Sequence, residues 1–172
     1  METYQCTTCD GSAIAEYINH RYITSGVPNV FLQGVEYAQC SKCGESQVII
    51  PHILKVHRAI ALALLNSPRL LTGPQFTFLR KHAELSREQF AKYLGFEVEE
   101  LIKWERAEAP IGQAMDRLVR LVVVELVPDL KEFAHSVVRH LSEISNKQGD
   151  DLEIHIDVNT LKHSYDFAKI AA

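Results

Sequence analysis

Residues 85–106 read Leu85-Ser-Arg-Glu-Gln-Phe-Ala-Lys-Tyr-Leu-Gly-Phe-Glu-Val-Glu-Glu-Leu-Ile-Lys-Trp-Glu-Arg106, and this stretch decides the fold. Ser86-Arg-Glu-Gln89 matches the S-x-x-Q capping box, which satisfies free amides at a helix start. Gly95 stands where a tight turn needs a positive φ, and a second helix begins after it at Glu97. Phe90, Leu94, Leu101 and Trp104 share an inward face, and Ala91 is small where the two helices would cross. Two short helices joined this closely have helix-turn-helix spacing.

The pattern extends in both directions. Upstream, residues 76–82 read as a helix whose Phe76 and Leu79, with Leu85 after it, complete the same apolar face. Downstream, Ala109-Pro110-Ile-Gly112 breaks the chain before a longer helix over 113–126. Pro128-Asp129 opens a further amphipathic helix in which Leu130, Phe133, Val137 and Leu141 align. A polar loop over 145–151 leads to residues 152–158, which alternate like a strand, and the last dozen residues carry no pattern.

Before residue 73 the character changes. Residues 14–18, 22–24 and 30–37 are rich in aromatic and β-branched side chains and read as short strands, with Ser25-Gly26 and Gln33-Gly34 as turn punctuation. After Pro51, Ile53, Val56, Ile60 and Leu64 fall on one helical face, with Lys55 and Arg58 away from it. Asn66-Ser-Pro68 closes that helix and Thr72-Gly-Pro74 opens the next, the composition of a hinge. The expected architecture is therefore mostly α with a small β module. Residues 1–50 form that module, 51–72 a linker helix, 73–127 a helix-turn-helix domain, and 128–172 a helix plus strand suited to dimerisation.

All four cysteines of the 172-residue chain lie in two pairs, Cys6-x-x-Cys9 and Cys40-x-x-Cys43. Each pair places two thiolates on one side of a knuckle, and two knuckles complete a tetrahedral four-sulfur site. Soft thiolate ligands favour zinc, with iron as a second occupant. Disulfides or independent redox pairs are the alternatives, though redox Cys-x-x-Cys chemistry needs only one pair beside a βαβ pattern. With four protein ligands the metal would be structural. The eight histidines lack ligand spacing.

Charge and hydropathy narrow the function. The net charge is −4, distributed as −3 over residues 1–50, +3 over 51–72, −1 over 73–127 and −3 over 128–172. That balance does not suit a coat for nucleic acid, so any DNA contact must come from local geometry. No apolar stretch is long enough for a bilayer, and the first residues show no leader pattern, so a reducing cytoplasmic compartment is expected. There is no Gly-rich phosphate loop, His-Glu-x-x-His or nucleophile elbow, so catalysis is not expected.

The run 85–96 followed by Ile102-Lys-Trp-Glu-Arg106 resembles the Xre/Cro family of helix-turn-helix domains, which implies a five-helix domain. The resemblance implies that Arg87 meets a phosphate, while Glu97, Val98, Glu99 and Glu100 lie at base edges with Lys103 one turn further on. It also implies a buried ion pair between Arg80 and Glu105, with Trp104 as a core anchor. The paired cysteines, with Leu32-Gln-Gly-Val-Glu-Tyr37 just before Cys40-Ser-Lys-Cys-Gly-Glu45, resemble the zinc module of MqsA-type (YgiT-type) antitoxins. That group also carries a C-terminal Xre-like domain, and the likeness spans residues 6–126. It implies a homodimer that represses its own operon through operator DNA, with the zinc module serving a basic partner toxin. The candidate DNA contacts are then Arg87, Glu99, Lys103 and Arg106. A second reading starts from the three glutamates of that surface: a protein-interaction or scaffold module whose helix-turn-helix no longer binds DNA.

Overall fold

The computed structural model describes residues 3–167. Strands β1 (Thr3–Gln5), β2 (Ser12–Arg21), β3 (Val30–Cys40) and β4 (Ser46–Ile49) precede six α-helices. These are α1 (Ile53–Leu65), α2 (Gly73–His82), α3 (Arg87–Leu94), α4 (Val98–Glu105), α5 (Gln113–Leu126) and α6 (Ala134–His140). Strands β5 (Leu152–Asp157) and β6 (His163–Phe167) close the chain's described part.

The strands form one sheet in the order β1-β2-β3-β5-β6, with β4 also on β3. This corrects the expectation of a mostly helical chain with a small β module: a six-stranded mixed sheet stands beside the helices. The reason lies in the length of β3. One of its edges pairs with β2, while the other is used twice. Glu36–Gln39 pairs antiparallel with β4, and Val30–Gln33 pairs parallel with β5. Leu152, Ile154 and Ile156 alternate inward on β5 and are fully buried, the period-2 pattern of a half-buried strand. Gln33-Gly34 is not a turn. The β2–β3 register shifts between Ile18 and His20, opposite Gly34, whose φ is +72°. Positions facing the main core accordingly change phase from Val30 and Leu32 to Val35, as a bulge requires.

Helix α1 lies between the sheet and the other helices. Its residues 59–61 and 63–65 are all buried, which marks a core helix rather than a linker. Ile60, Leu64 and Leu65 each stabilise the fold by about 1.5–3 kcal/mol through burial. The segment expected to be a hinge is also interior: Ser67, Leu70, Leu71 and Thr72 are buried. The Leu70 amide donates to the Lys147 carbonyl, and the Leu70 carbonyl accepts from Gly149. Gly73 closes the joint. A Cβ there would lie 2.5 Å from the Trp104 carbonyl oxygen, so only glycine lets α2 approach the end of α4 this closely. The amphipathic helix expected from Pro128 is broken into a 3-10 turn over Lys131–Phe133 and the short α6.

Candidate functional site

The first site is the cysteine cluster at one end of the sheet. Both knuckles share one backbone design. The Cys6 amide donates to the Gly11 carbonyl, as the Cys40 amide does to Glu45. The Asp10 amide returns to the Cys6 carbonyl, as Gly44 does to Cys40. Asp10 and Gly44, each following the second cysteine of its pair, both have positive φ (55° and 75°). The Thr8 and Lys42 amides each point at a sulfur, Cys6 Sγ and Cys40 Sγ, both at 3.4 Å.

These knuckles converge four sulfurs within 4.8 Å of one another. Cys6 and Cys43 are 3.6 Å apart at Sγ, as are Cys9 and Cys40. A tetrahedral ion with metal–sulfur bonds of about 2.3 Å has sulfur–sulfur edges of about 3.8 Å, so the four side chains are positioned to bind a metal. The electrostatics point the same way. The Cys43 and Lys42 amides hold the Cys40 thiol down to about 6. The Glu45 amide acts likewise on Cys43, but the Cys9 sulfur, burial and the other two sulfurs prevail, and that thiol is pushed up to about 12. Four thiolates could share this space only around a cation.

The second site is the surface around α3 and α4. Helix α3 starts with Ser86 Oγ accepting from the Gln89 amide at 3.1 Å, while Gln89 Oε1 accepts from the Ser86 amide at 2.8 Å. It ends at Gly95 in the left-handed region (φ +74°), and α4 follows three residues later. Phe90, Leu94, Leu101 and Trp104 are buried. Trp104 sits edge-on to both Phe76 and Phe96, at 6.0 and 5.2 Å.

Glu105 ties this unit together. Its Oε1 accepts from Arg80 Nε and its Oε2 from Arg87 Nε, both at 2.6 Å. The Glu105 side chain is only 3% exposed and that of Arg80 9%, whereas Arg87 remains 45% exposed. Arg80 also donates to the Leu85 carbonyl. Arg87, expected to meet a phosphate, thus already holds a buried carboxylate. Lys103 is exposed on α4. Arg106 lies just past its end, 3.7 Å from the Glu108 carboxylate. Glu99 and Glu100 are exposed in the first turn of α4, with Glu97 before them at its N-cap. There they complement the helix dipole.

The sequence reading missed one cluster. Asp116 and Arg120 on α5 are fully buried, and Arg120 reaches the backbone of residues 64–69. The signal was present: both charges fall on the stripe that carries Met115, Val119 and Val123, where a lone charge would be costly.

Comparison with known proteins found no matching family model, curated protein or solved structure. No helix among the described residues is long and apolar enough to cross a membrane.

Proposed function

We propose that the chain is a zinc-containing, DNA-binding transcriptional regulator, acting as a homodimeric antitoxin that represses its own promoter. The observation that carries this reading is the α3–Gly95–α4 unit. Two eight-residue helices are fixed by a capping box, a left-handed glycine and the Arg80–Glu105–Arg87 bridge. One face of α4, carrying Glu99, Glu100 and Lys103, is left exposed. A helix held this way is the element that enters a major groove in helix-turn-helix proteins, and a dimer would place two of them about 34 Å apart. Zinc is the metal best matched to four thiolates in a closed tetrahedron, where it supports folding rather than catalysis.

A mobility-shift titration of metal-loaded protein on the DNA upstream of its own gene tests the reading. Retardation that resists nonspecific competitor supports it. Absence of retardation at low salt removes it.

The exposed carboxylates Glu97, Glu99 and Glu100 favour a second reading, an interaction module for a basic protein such as a toxin. Each carboxylate repels a phosphate by up to about 1 kcal/mol at contact in water. Neutralising Glu99 and Glu100 to Gln separates the two: DNA affinity should rise under the first reading, and affinity for a basic partner should fall under the second.

A further inference from the structure

The basic side chains of α1 have no role in either reading, and their surroundings are distinctive. An open cavity of about 430 Å³ lies between α1, the Lys131–Phe133 turn and the hairpin joining β5 to β6. That volume is within the range of small-molecule sites. Its wall is apolar, formed by Leu62 from α1, Phe133 from the turn and Leu161 from the hairpin. Lys55 and Lys162 also line it, and both are exposed.

The charges nearby are already matched, except for these two. Arg58 lies over the Phe133 ring at 5.2 Å, donates to the Asp129 carbonyl, and pairs with Glu132 at 2.6 Å. Asp129 itself lies 3.4 Å from Arg58. Asp157 accepts from the Asn159 and Thr160 amides; Lys162 acts on it only as a more distant charge. Among the described residues neither Lys55 nor Lys162 has a hydrogen bond or ion pair from its ammonium group. His163 lines the same cavity; burial lowers its pKa, with the charge of His140 adding to it.

The geometry points to a binding site for a small organic anion with an apolar body, its charged group held by Lys55 and Lys162 and its body against Leu62, Phe133 and Leu161. Carboxylate, sulfonate and phosphate groups on an aromatic or branched aliphatic body all have this chemistry. The site is independent of the helix-turn-helix reading, since loss of operator retardation would leave it untouched.

The test uses the full-length, metal-loaded chain and a matched pair of fluorescent probes: anionic 8-anilinonaphthalene-1-sulfonate and its uncharged parent, N-phenyl-1-naphthylamine. Saturable binding of the sulfonate at one per chain is expected. The Lys55→Ala/Lys162→Ala double variant should raise its Kd about tenfold and leave that of the neutral probe unchanged. Phe133→Ala should weaken both, with metal content and circular dichroism confirming the fold. A control pair away from the cavity, Lys81→Ala/Lys147→Ala, both exposed, should leave both constants unchanged. The proposal is overturned if binding does not saturate, if the first double variant titrates like the parent, or if the control pair weakens the sulfonate as much.

Discussion

Arg120 donates from Nε to Asp116 Oδ2 at 2.8 Å, one turn along α5, with both side chains at 0% exposure. The pair is satisfied on every side. Arg120 Nη1 reaches the carbonyls of Leu64, Leu65 and Ser67, and Nη2 that of Arg69. Asp116 Oδ1 accepts from the Leu71 amide at 2.7 Å. These bonds offset the desolvation of two charges, and they lock the end of α1 and the segment after it to α5. Arg120→Met should destabilise the chain by about 3–5 kcal/mol, measured by urea denaturation. The double variant with Asp116→Leu should cost clearly less than the two single variants together; simple additivity would show that the pair is not coupled.

Removing the metal should unfold the cysteine end of the sheet. The cluster's own apolar packing is small, with Ala13 and Ala38 the buried residues beside Cys6 and Cys40, whereas structural zinc contributes on the order of 10 kcal/mol of apparent folding energy. Elemental analysis should give one metal ion per chain. Cys43→Ser should lower metal retention against a chelator, with loss of amide protection over β1 and β4 in hydrogen exchange. Retained protection in fully demetallated protein would contradict a structural role.

The two partners of Glu105 should respond differently. Arg80 is almost wholly buried in the bridge, while Arg87 is nearly half exposed. Arg80→Ala should cost about 3 kcal/mol or more, since it strands a buried carboxylate. Arg87→Ala should cost roughly 0–1 kcal/mol in stability. If the DNA reading holds, Arg87→Ala weakens all sequences alike and reduces the salt slope by about one, while Lys103→Ala relaxes base preference. Arg106→Ala should behave as Arg87→Ala does. Footprinting across a salt series reads all three.

Acid should destabilise the chain through two half-buried histidines. His57 and His82 both pack against Phe78, edge-on and stacked respectively, with ring centroids 5.9 Å from it in each case. Burial lowers both imidazole pKa values below the ordinary 6.5, although the nearby Asp129 carboxylate partly restores that of His82. His82 Nε2 has no hydrogen-bond partner within the described protein. The folded state therefore binds fewer protons than the unfolded one below about pH 6.5, so stability falls with pH through that window. Thermal melts between about pH 7.5 and 5 should show the decline, and His82→Phe should flatten it. A pH-independent melting temperature would refute this origin.

The parts legible in the sequence were those set by local rules. The capping box at Ser86, the turn at Gly95, the paired cysteine knuckles and the period-2 run from Leu152 all depend on residues close together in the chain. The parts that were not legible depend on distant partners. Nothing near Leu152 says that its strand will lie parallel to Val30–Gln33, because parallel pairing leaves no turn signature. Thr72-Gly-Pro74 has hinge composition, yet Gly73 is there to meet the Trp104 carbonyl. The resemblance assigned Arg87 a phosphate contact, and only the fold brings Glu105 to it.

The parallel pairing of β3 with β5 also bears on how the chain is made. A ribosome releases Val30–Gln33 more than a hundred residues before Leu152–Asp157 exists to cover it. Until then one border of the nascent sheet stays open, with Val30 and Leu32 ready to adhere to a neighbouring chain. A fragment ending at residue 127 would keep that border open permanently. It should precipitate or pair with itself even though it contains both cysteine knuckles and the whole of α2–α5.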